Sequence, residues 1–330
     1  MRVPAEWEKQ EYIMLVFPSP KSDWEHSIYY IQKSYVELIK AIIPYQKCVL
    51  LCEDKAKLSK IMPKSKNIKI VQIETNDTWI RDFGAISIYE DNKLKLLNFK
   101  FNAWGGKFDY KKDNLLNRKL QELNFFKNPM VDINFVLEGG SIDTNGKGTL
   151  LTTQNCIFNQ NRNPKLSKAQ ILNVIKNTFG INEIIVLQNG SLIGDDTDSH
   201  IDTLARFIDK ETIAYVKCYD TLDEHYITLK KMEDELKKTK FHLLALPLPS
   251  PKFFTNHRLP ATYLNFVFIN GALIVPTYKD KNDKIVLKIL QDFFPTKDII
   301  GVDASIFIRE RGSLHCASMN YYPTLQTIRI

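Results

Sequence analysis

GDDTDSHIDTLARF, residues 194–207, is the stretch on which the reading of the fold turns, because an acidic loop there runs directly into an alternating segment. Between Asp195 and Asp202 four carboxylates surround one histidine, and no basic side chain intervenes. The spacing of Asp196, Asp198 and Asp202 resembles a calcium loop, but such a loop needs Gly at its sixth position and Glu at its twelfth. Counted from Asp196, this chain has Ile201 and Phe207 there. Zinc fits no better, since no second histidine lies three to five residues from His200. A solvated loop without a role is the commonest meaning of a charge run. Against it stands IDTLARFI, an alternating segment that reads as a strand and presents His200 and Asp202 on one face where a loop meets a sheet.

Outward from this point, strands and helices alternate. YIMLVF (12–17), CVLLC (48–52), NIKIVQI (67–73), TLLTT (149–153) and IIVL (184–187) read as strands. Ile28, Ile31, Tyr35, Leu38 and Ile42 form one helical face, and a basic helix is expected from about Lys55. A further helix opens on a capping box, Ser167 with Gln170, and stops at Gly180. YLNFVFI and ALIVPTY flank Asn270-Gly271, the strongest short hairpin signal a sequence offers. Hairpins mixed with crossover helices predict an α/β arrangement of repeated small units rather than one long parallel sheet.

The 330 residues, 44% of them hydrophobic, suffice for a large core, and the lack of a Pro-, Gly- or Ser-rich linker predicts a single catalytic domain over 1–330. MRVPAEWEKQ carries no apolar leader, and the most apolar window, TYLNFVFINGALIVPTY, is broken by Asn265, Asn270 and Gly271. Neither secretion nor a membrane span is expected, and the cytosol is the expected compartment. Five cysteines without a CxxC spacing read as free thiols. The net charge of +7 does not point to nucleic acid, because the lysines are spread along helices and no nucleic-acid-binding signature is present. Acidic pockets in a basic chain suit a cationic ligand.

Four loops carry the chemistry. NDTWIRDFGAI crowds Asp77, Trp79, Arg81 and Asp82 at the end of a strand. LEGGSIDTNGKG follows Glu138 with two glycines that allow close backbone approach. The acidic stretch and GSLHCASMN, which holds Cys316, complete the group. Taken singly, each has an ordinary structural meaning: an isolated cysteine is more often a small core residue than a nucleophile. Together they form a set for covalent catalysis, with Cys316 as nucleophile, His200 as acid and base, and Glu138 orienting His200. Asp82 and Asp202 have no place in peptide hydrolysis, where developing negative charge needs donors. They suit a planar cation gripped through paired N–H groups, with Trp79 or Trp104 covering its face.

Seven ordered blocks then carry a family resemblance: VPAEWEKQE (3–11), NDTWIRDFGAI (76–86), FNAWGGKF (101–108), LEGGSIDTNGKGTLLTT (137–153), GDDTDSHIDTLARF (194–207), RLPATYLNFVFINGALIVPTY (258–278) and RGSLHCASMN (311–320). The chain resembles the agmatine deiminase family, relatives of bacterial-type peptidylarginine deiminases in the guanidine-modifying superfamily. The resemblance implies a five-bladed, pseudo-symmetric α/β propeller with a central site. It implies a hydrolase of linear amidines that converts agmatine to N-carbamoylputrescine and ammonia in putrescine, hence polyamine, biosynthesis. No cofactor and no metal are implied, and the family's habit is compatible with a homodimer. Carried over, Cys316 is the nucleophile, His200 the proton shuttle, Glu138 its partner, and Asp82 and Asp202 the guanidinium clamp, with Trp79 and Trp104 lining the pocket.

The chain departs from the family at Arg311, where glycine is usual, and at Ala317–Asn320. Peptidylarginine as substrate, transfer of the amidine to an amine, and a non-catalytic binding propeller are the competing readings. His315 is expected on a strand, turned away from Cys316 and used for packing. Asp195, Asp196 and Asp198 are expected to shape the loop or to add negative potential, and Asp198→Asn, outside the clamp, should cost much less than Asp202→Asn or His200→Asn. Chelators are expected to leave activity and thermal midpoint unchanged; a loss restored by calcium would reinstate the metal reading.

Overall fold

Five sheets repeat one connection, an antiparallel hairpin followed by a helix that returns the chain to a third, parallel strand. The computed structural model describes residues 1–324, so positions 325–330 of the expected domain lie outside the described residues. One sheet joins Ile86–Glu90, Lys93–Lys100 and Met130–Val136, with the helix Lys111–Glu122 in the crossover. The next three are built alike: Ile142–Thr144, Thr149–Thr153 and Glu183–Leu187; Ala205–Phe207, Thr212–Lys217 and His242–Pro247; Val267–Ile269, Ala272–Thr277 and Asp298–Asp303. Helices Lys168–Phe179, Tyr226–Leu236 and Asp283–Phe293 form their crossovers.

The fifth sheet uses the same plan with its hairpin drawn from distant sequence. Ser318–Tyr321 pairs antiparallel with Tyr12–Val16, which then runs parallel to Lys47–Cys52 through the helix Ile28–Ile42, and Ile68–Gln72 adds a fourth strand. A short hairpin, Phe253–Phe254 with His257–Arg258, stands apart. Among the described residues no sheet closes on itself, and the architecture is mixed α/β, as the alternating pattern predicts.

The local signals work where packing agrees with them. The Ser167 side chain accepts from the Gln170 N–H, and the Gln170 side chain bonds back to the cap, while Gly180 ends the helix at φ 66°. Asn270-Gly271 joins antiparallel strands. Lys47–Cys52 and Ala272–Thr277 read as apolar runs because both strands are central and packed on two faces. Ile31, Tyr35, Leu38 and Ile42 are buried along one side of their helix. No helix among the described residues is long and apolar enough to cross a membrane.

The repeat positions the chemistry. The segment just before the first hairpin strand of each sheet contributes one or two of the polar residues gathered at a single cavity or behind its wall. Asp82 precedes Ile86, Glu138 precedes Ile142, His200 and Asp202 precede Ala205, Asn265 precedes Val267, and Cys316 precedes Ser318. The N-terminal segment is fastened to the fold by reciprocal bonds: Gln10 N–H donates to Asn270 Oδ1 and Asn270 Nδ2 donates to the Gln10 carbonyl, each at 2.9 Å. Asn270→Asp keeps the acceptor but removes that donor, and should lower stability by about 1–3 kcal/mol, read as a lower denaturation midpoint.

Candidate active site

Cys316 sits in the turn Leu314–Ala317, and its neighbours are acceptors and acids. Its Sγ lies 3.4 Å from Asn265 Oδ1 and 3.7 Å from Asp202 Oδ2. Asn265 Oδ1 also accepts the backbone N–H of His315 at 2.9 Å and of Cys316 at 3.3 Å, which fixes the turn. Burial, then Asp202 and Asp82, push the thiol's pKa well above its ordinary value.

The two candidate clamp residues meet at this thiol by different means. Asp82, on the short helix Ile80–Phe83, accepts from Trp104 Nε1 at 2.9 Å and from the Gly140 N–H at 2.8 Å. Ala103 and Trp104 both hold positive φ, 52° and 54°, a strained conformation for L-residues that accompanies the aim of the indole onto Asp82. Burial raises Asp82 to about 6, with Asp202 adding to it and the His200 charge opposing. Asp202 accepts from His315 Nδ1 at 2.7 Å through Oδ2, while Oδ1 is buried without a partner among the described residues. Burial would raise Asp202 too, but His315, then His200 and Arg206, outweigh it and hold it below the ordinary carboxylate value.

His200 presents both ring nitrogens, buried and without a hydrogen-bond partner among the described residues, with Nδ1 3.6 Å from Asp82 Oδ1. Burial lowers its pKa, yet Asp82, the Cys156 thiol and Glu138 reverse this and hold it well above the ordinary value. Glu138 lies beside it, but both carboxylate oxygens accept from Arg162 Nε, at 2.9 and 3.0 Å. Arg162 in turn donates to Asp198 Oδ2 at 2.7 Å and to the Thr197 carbonyl at 2.9 Å. Glu138, Cys156 and His200 offer ligand atoms within 4.8 Å of one another. The guanidinium already seated on Glu138 makes that cluster unsuited to a metal cation.

Asp82, His200, Asp202 and Cys316 share a cavity of about 500 Å³, which is also lined by Trp79, Trp104 and Phe108. Gly312 is required against it, since a Cβ there would stand 2.4 Å from the Trp79 ring. Asp77 lines the cavity while accepting from the Thr78 N–H at 2.6 Å, and burial raises its pKa to about 7. Asp195 shapes its loop, accepting from the N–H groups of Thr197 and Ser199. Arg311 reaches back to Asp196 at 2.7 Å, tying the departure from the family pattern to the acidic loop.

Two expectations are corrected. IDTLARFI is not one strand: Ile201–Thr203 is a 3-10 turn and only Ala205–Phe207 pairs, so the turn, not alternation, brings His200 and Asp202 to the same cavity. His315 does not face away, because Leu314–Ala317 is a turn to which strand alternation does not apply. Its Nδ1 bonds Asp202 and its Nε2 lies 2.6 Å from Glu6 Oε1. The sequence reading also passed over Arg162, Asn265 and Glu6. Asn265 left one signal, a polar residue interrupting an apolar strand just where the other units place theirs.

A family model described as Porphyromonas-type peptidyl-arginine deiminase matches residues 2–322. The agmatine deiminase of Pseudomonas aeruginosa LESB58 is 30% identical, covering 96% of this chain and 94% of its own. Among solved structures, a cysteine-to-serine form of C. jejuni agmatine deiminase with substrate bound is 50% identical over 98% of this chain and 97% of that one, with a TM-score of 0.95. The unsubstituted C. jejuni agmatine deiminase, also 50% identical over the same shares of the two chains, gives 0.92.

Gly140 is hemmed in by three of the candidate site residues. A Cβ there would stand 2.7 Å from His200 Nδ1, 2.8 Å from Asp82 Oδ1 and 3.1 Å from Asp202 Oδ2. Gly140→Ala should therefore abolish turnover by at least about a hundredfold while the circular dichroism spectrum stays that of the parent.

Proposed function

The chain belongs to the Porphyromonas-type peptidyl-arginine deiminase family, and we propose that it hydrolyses agmatine to N-carbamoylputrescine and ammonia through a covalent adduct on Cys316. The observation that carries this reading is the convergence of one thiol, two differently held carboxylates and an imidazole with both nitrogens unpartnered on a single cavity. In this reading the architecture is a five-bladed, pseudo-symmetric propeller and a single catalytic domain; five repeats of hairpin, helix and parallel strand support it. Five unpaired, buried cysteines support a reducing compartment, the cytosol.

Asp202 and Asp82 hold the guanidinium, with Trp79 and Trp104 walling the pocket. As the cation binds, Cys316 gives up its proton to solvent; Sγ then attacks the central carbon, protonated His200 delivers its proton to the departing nitrogen, and the C–N bond breaks to release ammonia. The thiouronium is then hydrolysed by a water that gives its proton to His200; the C–S bond breaks and the thiol is restored. Glu138, held by Arg162, keeps negative charge beside the imidazole and stabilises its protonated form. The free thiol's high pKa fits a nucleophile that ionises when a cation arrives between its two acids.

The far end of the substrate is read from the remaining lining. With Arg311 and Asp196 paired to each other, Asp23, Glu25, Asp195 and Glu310 outnumber Arg309. That excess suits a second cation, the amine of agmatine, and disfavours the carboxylate of free arginine.

Incubation with agmatine and no acceptor amine should release ammonia and a ureido product in equal amounts, and Cys316→Ser should abolish this; ammonia appearing only when an amine is added would favour transfer over hydrolysis. The pH dependence follows from Asp82. A carboxyl raised to about 6 is increasingly protonated below that pH and then no longer attracts a guanidinium, so kcat/KM should fall as pH drops through about 6. Asp198→Asn, expected from sequence to be mild, should now reduce kcat through the Arg162–Glu138 contact, and a KM change without a kcat change in that variant would refute this coupling.

A further inference from the structure

Behind the cavity wall a second buried chain of polar groups runs from the clamp to the N-terminal segment. Asp202 Oδ2 accepts from His315 Nδ1 at 2.7 Å, and His315 Nε2 lies 2.6 Å from Glu6 Oε1. Glu6 is itself fixed by Arg206 Nη2 at 2.5 Å and Arg81 Nη1 at 3.0 Å. Arg81 also donates to Asn320 Oδ1, and Arg206 to the carbonyls of Leu264 and Phe266. His315 is 2% exposed and Asp202 0%, so water does not substitute for any of these donors.

We propose that His315 is a positioning residue for the guanidinium clamp: by donating to one oxygen of Asp202 it keeps that acid ionised and turns the other, unpartnered oxygen toward the substrate. The proposal rests on the reading of Asp202 as a clamp residue. Of the two acids, only Asp202 keeps an oxygen free, since both oxygens of Asp82 are taken by Trp104 and Gly140. A free oxygen in a dry wall is productive only if the carboxylate cannot rotate, and the His315 bond supplies that restraint. Contacts of 2.7 and 2.6 Å to two carboxylates require an N–H on both ring nitrogens, so the geometry places His315 as the imidazolium although burial, Arg206 and Arg81 pull its pKa down, and the Glu6 contact fixes the ring with Nδ1 aimed at Asp202. The charges facing His315 are Glu6 and Asp202, opposed by Arg81 and Arg206, with the Cys316 thiol next in the chain. Glu6 is thus the fixed end of the relay, held by two guanidinium groups on one side.

Two amide substitutions separate the two ring nitrogens. His315→Asn carries its N–H₂ near the Nδ1 position and retains a donor to Asp202, whereas His315→Gln reaches toward Glu6 and leaves Asp202 without one. His315→Gln should raise KM for agmatine at least about tenfold. It should also move the acid limb of kcat/KM to higher pH and steepen it, because Asp202 loses what kept its pKa low and protonates alongside Asp82. His315→Asn should leave the limb where it stands in the parent. Equal losses in both variants with an unmoved limb would overturn the proposal, reducing His315 to packing. If His315→Gln does not fold, Glu6→Gln, which leaves the cavity wall intact, must move the limb in the same direction; an unmoved limb there overturns it equally. Failure of the parent itself to turn over or bind agmatine would instead count against the proposed function, so the two failures are distinguishable.

Discussion

Carboxylates stripped of water around one thiol are the constraint to which the rest of this structure answers. Asp82, Asp202 and Glu138 are all nearly inaccessible, and an unpaired buried charge costs several kcal/mol. Each therefore has its own support: an indole and a glycine N–H for Asp82, an imidazole for Asp202, a guanidinium for Glu138. Those supports have supports in turn. Arg162 is placed by Asp198 and Thr197, and His315 by Glu6 with its two arginines. Much of what reads as loop chemistry is the scaffolding needed to hold three acids in a dry site.

Differential support is also what gives two like residues different properties. Asp82 and Asp202 are both buried aspartates beside Cys316, yet burial dominates the first and raises it, while charged donors dominate the second and lower it. A cation entering between them meets one firmly ionised acid and one near its titration point. The thiol is kept in its unreactive form by the same acids that draw the cation in, so reactivity and occupancy are linked electrostatically.

The sequence made the outer parts of the fold legible and the inner joints much less so. Ser167, Gln170 and Gly180 act through their own backbone neighbours, and Asn270-Gly271 through a single turn, so their meaning survives without tertiary knowledge. The candidate residues Cys316, His200, Glu138, Asp82 and Asp202 were legible because their loops hold more chemistry than loops require, and the structure brings them to one place. What escaped was pairing across long separations. Nothing near Arg162 indicates that it seats Glu138, and nothing near His315 indicates that Glu6, 309 residues earlier, holds its far nitrogen. The reading of IDTLARFI as a strand failed for a related reason. The alternation there serves a tight turn that delivers two side chains to the cavity, and tertiary demand overrode local pattern.

The strand Ser318–Tyr321, which pairs with Tyr12–Val16, begins two residues beyond Cys316. The sheet that contains it is shut by hydrogen bonds between the two ends of the folded region, not by a continuous loop. Its formation has to meet the entropy of bringing segments about three hundred residues apart together, the kind of contact that slows folding. Cys316 therefore rides on the latch. A chain with its other four sheets complete but this pairing unmade would hold the imidazole and both acids with no thiol to serve them. Burial of Cys316 is in that sense a report on the state of the whole molecule, and the rate at which a thiol reagent reaches it measures how often the latch opens.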